Sequence, residues 1–157
     1  MHIRLAQHQD IPKIVSLGKN LFELHHGFDN DYYALEDNFE EFFSDWVRQQ
    51  LSFSNNILLV AQENNEIVGF ISGFIKSLYP WFRVKNVGHI AFLAVSQNYR
   101  RKGVGKKLEI ELTNRFHAKN IRYIEVYVEE KNTIAQFAWN NYGFGSFKKF
   151  LRKTVSL

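Results

Sequence analysis

The stretch that decides the fold is Val95-Ser96-Gln97-Asn98-Tyr99-Arg100-Arg101-Lys102-Gly103-Val104-Gly105-Lys106-Lys107. The apolar run Ile90-Ala91-Phe92-Leu93-Ala94-Val95 leads into it and reads as a strand. Beyond it, Val104, Leu108, Leu112 and Phe116 recur every fourth residue, which predicts a helix over 104–118. Two glycines and five cations gather where the strand gives way to the helix. Glycine adopts backbone angles closed to other residues and lets a ligand approach the main chain. The first turn of a helix presents unpaired N–H groups and the positive end of its dipole. A strand, a glycine-containing turn and a helix N-terminus together suit a phosphate group. Arg100, Arg101, Lys102, Lys106 and Lys107 add full charge, so the expectation is a pyrophosphate-bearing ligand over residues 101–106.

Three phosphate-binding patterns compete. A P-loop ends in Lys-Ser/Thr, whereas here Gly105 is followed by Lys106-Lys107. A dinucleotide fingerprint needs a third glycine where Leu108 stands, and its first glycine close to the strand. The third pattern, Arg/Gln-x-x-Gly-x-Gly/Ala, fits Arg100-Arg101-Lys102-Gly103-Val104-Gly105. On this segment the chain resembles the GNAT superfamily of acyl-CoA-dependent N-acyltransferases.

The rest of the chain fits one domain over residues 1–157. It is 45% hydrophobic and 23% charged, a globular balance for a length that buries a real core. Without cysteine, disulfides, thiol catalysis and thiolate metal sites are excluded. No apolar run approaches the roughly 20 residues of a membrane helix, and Met1-His2-Ile3-Arg4 lacks a signal-peptide core. A cytoplasmic protein is expected. The net charge of +4 gathers at residues 100–107 and at Lys148, Lys149, Arg152 and Lys153. That suits a local anion better than a nucleic-acid face.

In chain order, Ile3–Ala6 reads as a strand, and Asp10 and Pro12 start a helix. Ile11, Ile14, Val15, Gly18, Leu21 and Phe22 form its inner face. Residues 23–35 keep no period and read as a loop or helix end. Phe39, Phe42, Phe43, Trp46, Val47 and Leu51 mark a second helix. Strands follow at 57–61, 67–75 and 89–95, then the helix at 104–118. Tyr123–Val128 alternates as a strand, Thr133–Tyr142 is helical and stops at Gly143, and Phe147–Val155 can supply a last strand. The order β-α-α-β-β-β-α-β-α-β predicts an α/β (α+β) fold. Its mixed, largely antiparallel sheet of six or seven strands is flanked by helices, the arrangement of the GNAT fold.

The resemblance implies a function and a set of residues. It implies acetyl-CoA as co-substrate and acetyl transfer to a primary amine, of a small molecule or peptide. Leu93, Ala94 and Val95 would pair with the pantetheine arm and offer an oxyanion hole. Arg100, Arg101, Lys102, Gly103, Val104, Gly105 and Lys106 would wrap the pyrophosphate. The segment from Asn132 to Phe144 resembles a second family pattern, Asn-x-x-Ala-x-x-x-Tyr-x-x-x-Gly-Phe, placing Asn132 and Ala135 along the CoA arm. Trp139 stands where that pattern has its acidic Tyr and would pack against the cofactor, and Tyr142, one turn on, is the substitute candidate. Two further departures are Ala91 and Phe92, where carboxylates are usual. His89 and Glu125 are the remaining base candidates. Acceptor contacts would come from Glu23, His26, Tyr32 and Tyr33. No metal site is expected, because no third ligand accompanies His25-His26. A homodimer is possible. The rival readings are an acyl-CoA-binding protein with weak or lost catalysis and a basic nucleic-acid-binding module.

Overall fold

The computed structural model describes residues 1–157. One sheet of five strands carries helices on both faces, in the order β1-β2-β3-β4-β5. The strands are β1 (His2–Leu5), β2 (Asn56–Glu63), β3 (Glu66–Ser77), β4 (Asn86–Val95) and β5 (Ile124–Val126). The helices are α1 (Ile11–Phe28), α2 (Phe39–Ser52), α3 (Val104–Ala118) and α4 (Thr133–Asn141). The first three strand pairs are antiparallel, and β4 with β5 is parallel. The parallel pair needs a crossover, which α3 provides. The β2–β3 hairpin turns on Asn64 and Asn65, both at positive φ, as a tight hairpin turn requires.

Each face of the sheet has its own core. Ile57, Leu59, Val68, Ile71 and Ile90 meet Val104, Leu108, Leu112 and Phe116 of α3 and Trp139 of α4. Leu58, Val60, Phe70 and Ala94 meet Ile11, Ile14 and Val15 of α1 and Phe43 and Val47 of α2. Between α1, α2 and β4 lies an aromatic cluster in which Phe22 meets Phe39, Phe43 and Phe92 edge-on at 5.0–5.5 Å. The alternation of β2 and β3 into these two layers follows from the two-residue period of a strand.

Four expectations need correcting. The sheet has five strands, because Phe147–Val155 forms no ladder. Residues 23–28 continue α1; their polar faces break the apolar period but not the helix. β5 spans only Ile124–Val126, since only Gly88, His89 and Ile90 of β4 face it. Asp10 makes no cap bond to α1. Its buried carboxylate takes two bonds from Arg4, at 2.7 and 2.9 Å, and one from the Gln7 N–H at 2.8 Å. It thereby ties β1 to the turn before α1.

Candidate active site at the β4–β5 opening

The pairing of β4 with β5 ends at Ile90 opposite Val126. Residues 91–95 of β4 therefore keep β3 on one side and an open edge on the other. A bulge sets what that edge presents. Ser72 pairs with Phe92 and Gly73 with Ile90, so Ala91 is the extra residue. Gly88 donates its N–H to Tyr123 O on the β5 side, and Ser96 donates to Val68 O on the β3 side. Residues an even number apart in a regular strand point their N–H groups the same way. The extra residue reverses that parity. Alternation back from Ser96 turns the Leu93 and Val95 N–H groups to the open edge and the Ala94 N–H to β3. The same shift puts Phe92 with the α1–α2 aromatics and Leu93 with the α3 core.

The loop after β4 meets the N-terminus of α3 at the mouth of this opening. Arg101 has φ +59° and Gly103 has φ +79°, so the chain turns through left-handed angles twice before α3. No atom lies within 4 Å of where a Cβ on Gly103 would be, which leaves the cradle open to a ligand. The first-turn N–H groups of α3 lack helical partners by geometry. Arg100 donates Nε–H to Val95 O at 3.1 Å, pinning the loop to the strand end. Lys102 lies over the Tyr99 ring at 5.3 Å. Pyrophosphate oxygens match this set of N–H donors and cations.

Gly105 has a different neighbour. A Cβ there would come 2.8 Å from the Tyr142 hydroxyl and 3.6 Å from Leu93 Cδ2. The phenol thus lies between α3 and the strand whose edge is open. Burial, and after it the Glu109 carboxylate, pushes the Tyr142 phenol above its usual range, so it stays protonated at neutral pH. Trp139 is buried and meets Tyr142 and Phe144 edge-on at 5.6 and 5.2 Å, so it packs beside the phenol. Glu109 did not figure among the sequence candidates. It is buried on α3, one turn beyond Gly105, and accepts from Thr113 Oγ1 at 2.7 Å. That one-turn spacing behind Gly105 is its signal in the sequence. Asn132 caps α4 by accepting from the Ala135 N–H at 3.0 Å, and Ala135 packs against the core.

On the other face of the sheet, the register places Phe74, His89 and Glu125 side by side. Glu125 pairs with Lys76, a partner the sequence did not single out, and lies 3.9 Å from His89 Nδ1. His89 is buried, its Nδ1 has no hydrogen-bond partner, and its ring meets Tyr127 at 4.7 Å. Burial, and then the Lys76 charge, holds the imidazole below its ordinary pKa, with Glu125 working the other way. His89 is therefore a neutral imidazole one residue before the point where the strands part.

The α1–α2 loop is strapped to the turn after β5. Tyr33 donates its hydroxyl to Glu129 at 2.7 Å, and Lys131 donates to Phe28 O at 2.9 Å. Hydrogen bonding to Glu129 drives the Tyr33 phenol up to about 12. Tyr32 is exposed beneath the Arg152 guanidinium. Glu23 and His26 are exposed on α1 and make no side-chain hydrogen bond. No group of three His, Asp or Glu side chains gathers to hold a metal ion, and no helix is long and apolar enough to cross a membrane.

The chain and its fold have counterparts among known proteins. The L-2,4-diaminobutyric acid acetyltransferase of Virgibacillus pantothenticus is 37% identical over 79 residues, 50% of this chain and 46% of that protein. The chain thus spans about half the length of the curated relatives it matches. Among solved structures, the aminoglycoside 6'-N-acetyltransferase AAC(6')-Ig of Acinetobacter haemolyticus superposes with a TM-score of 0.80 at 16% identity, covering 100% of this chain and 99% of that one. A predicted acetyltransferase of Clostridium acetobutylicum, solved with acetyl-CoA, superposes with a TM-score of 0.77 at 19% identity, covering 98% and 95%. The pattern of the Acetyltransferase (GNAT) family matches residues 20–144. The chain belongs to the GNAT family of acetyltransferases.

Proposed function

We propose that the chain transfers the acetyl group of acetyl-CoA directly to a primary amine. The observation that carries this is the edge of β4, freed from β5 and turned by the Ala91 bulge so that the Leu93 and Val95 N–H groups face the opening. An extended ligand arm adds to such an edge as a strand does. Arg101, Lys102, Gly103, Val104, Gly105 and Lys106 hold the pyrophosphate end. The Leu93 N–H polarises the thioester carbonyl, where charge develops as the amine adds.

The remaining residues move protons. His89, a neutral imidazole next to the opening, takes the proton of the attacking amine. Glu125 is engaged by Lys76, which leaves His89 the stronger of the two base candidates. Tyr142 donates its proton to the departing thiolate; its hydroxyl lies beside Leu93 and Gly105. Glu23, exposed on α1 and without a side-chain partner, favours a cationic acceptor. The relatives named for diaminobutyric acid and for aminoglycosides act on amine-rich molecules and support that class.

A second reading keeps acetyl-CoA binding but not turnover, and the buried Trp139 in the place of the family's Tyr favours it. Calorimetric titration with acetyl-CoA tests the part shared by both. One saturable site is expected, lost in Gly103→Glu, whose side chain fills the cradle. Equal binding by wild type and variant would remove the pyrophosphate assignment.

A further inference from the structure

At one end of the sheet the β3–β4 hairpin outruns its neighbours. β2 begins at Asn56 opposite Phe74, and β5 begins at Ile124 opposite Gly88, while β3 and β4 stay paired as far as Ser77 and Asn86. The tip, residues 78–85, therefore projects beyond both flanking strands. Main-chain bonds hold its shape. Leu78 donates its N–H to Lys85 O at 2.7 Å, Phe82 donates to Tyr79 O at 3.1 Å, and Lys85 Nζ donates to Pro80 O. Tyr79 and Trp81 stack on each other at 4.7 Å and are 62% and 72% exposed. Phe82 stands edge-on to both.

Two further turns close at the same end. In the α2–β2 turn, Asn55 O accepts from the Ile75 N–H and Ser54 O from Lys119 Nζ. In the α3–β5 turn, Tyr123 O accepts from the Gly88 N–H. These turns add the exposed rings of Phe53 and Tyr123. They also add Lys119 and Arg122 to Arg83 and Lys85 of the tip, all four exposed. Residues 53–56, 76–88 and 119–123 hold no Asp or Glu. Glu125, next along β5, is already paired with Lys76.

Exposed Trp and Tyr beside cations, with no acid among them, are what the interface of an anionic bilayer selects. We propose that this end of the sheet docks on an anionic lipid surface. Tyr79, Trp81 and Phe82 sit at the headgroup level, and Arg83, Lys85, Lys119 and Arg122 face the lipid anions. Shape favours a bilayer over a nucleic acid. A single strand of bases takes a groove and free ring faces, whereas this tip is convex and Tyr79 and Trp81 cover each other. The dock lies at the start of β4, and the cationic loop follows its end. Ten residues of strand separate them by about 30 Å, so docking leaves that loop in water.

Co-sedimentation of the full chain with vesicles tests the proposal. At low salt the chain should pellet with vesicles of mixed phosphatidylcholine and phosphatidylserine, and stay in solution with phosphatidylcholine alone. Its tryptophan emission should shift to the blue as Trp81 leaves water. Trp81→Ala/Phe82→Ala should abolish that shift and weaken binding by roughly tenfold or more. Arg83→Gln/Lys85→Gln should weaken it by roughly thirtyfold. All four side chains are exposed, so both variants should melt with the wild type. No pelleting with the mixed vesicles, equal pelleting with both lipids, or variants that bind like wild type would overturn the proposal. So would a single-stranded oligonucleotide complex that the two variants lose while vesicle binding persists.

Discussion

The Tyr142 hydroxyl lies 2.8 Å from the point a Cβ on Gly105 would occupy. The second glycine of the loop therefore makes room for a phenol, whereas the first, Gly103, supplies a left-handed turn in open space. The two glycines should fail differently. Gly103→Ala strains the backbone by about 1 kcal/mol or more and should weaken acetyl-CoA binding severalfold with little change in kcat. Gly105→Ala pushes the Tyr142 ring aside, and should lower kcat more than it raises the acetyl-CoA KM. Steady-state kinetics on the pair checks this; identical profiles would contradict it.

Tyr142→Phe removes the proton donor and keeps the packing against Trp139. Turnover should fall by roughly a hundredfold, the usual span of a general acid, with acetyl-CoA affinity nearly intact. Unchanged turnover would make Tyr142 a packing residue and leave water as the proton source.

On the proposed mechanism His89 sets the acid limb. Its folded pKa is below the ordinary value, so the neutral base persists somewhat below the usual histidine range and is lost only as pH falls further. His89→Gln should lower kcat/KM by roughly a hundredfold at neutral pH and abolish that limb. The same shift affects stability. The unfolded chain binds the proton more readily, so stability falls as pH drops below about 6.5 towards the folded pKa. His89→Gln should flatten that part of the melting profile.

Much of this site was legible before the fold was. The Val104-Leu108-Leu112-Phe116 period marked α3 to the residue, and the positive charges with two glycines marked the loop that turns into it. The Ala91 bulge was not legible, because an apolar run shows no parity break; only the register with β3 reveals it. Residues 23–28 looked irregular because a helix end that protrudes has no buried face. The tail reads as a strand from composition alone, yet a strand exists only with a neighbour, and this chain offers none in place. Lys76 and Glu125 are 49 residues apart in sequence, and cross-strand register alone joins them.

The Tyr33–Glu129 bond straps the α1–α2 loop to the turn after β5, beside the proposed acceptor site. Tyr33→Phe removes one charge-assisted bond at a partly exposed site, a loss of about 1 kcal/mol after allowing for solvent. That corresponds to about a fivefold higher acceptor KM, with the acetyl-CoA KM unchanged. Because the phenol titrates only near about 12, the difference should persist across the alkaline range of an assay.

Gly18 on α1 faces Phe43 on α2, whose ring atom Cε1 would lie 2.3 Å from an added Cβ. Helix propensity favours alanine by about 1 kcal/mol, while forcing a buried ring aside costs about 1–3 kcal/mol. Phe43 is stacked on Phe39 and Trp46 and has nowhere to go, so the clash wins. Gly18→Ala should lower Tm by about 3 °C for a net loss near 1 kcal/mol; a higher Tm would contradict the close packing.

Thiol release from acetyl-CoA, measured against a panel of diamines, amino acids, aminoglycosides and peptide N-termini with hydrolysis subtracted, tests the central claim most directly. A cationic primary amine should give saturable release matched mole for mole by acetylated product, with a rate that rises with pH as the amine loses its proton. Tight acetyl-CoA binding with no release above background for any amine would contradict catalysis and leave a binding protein.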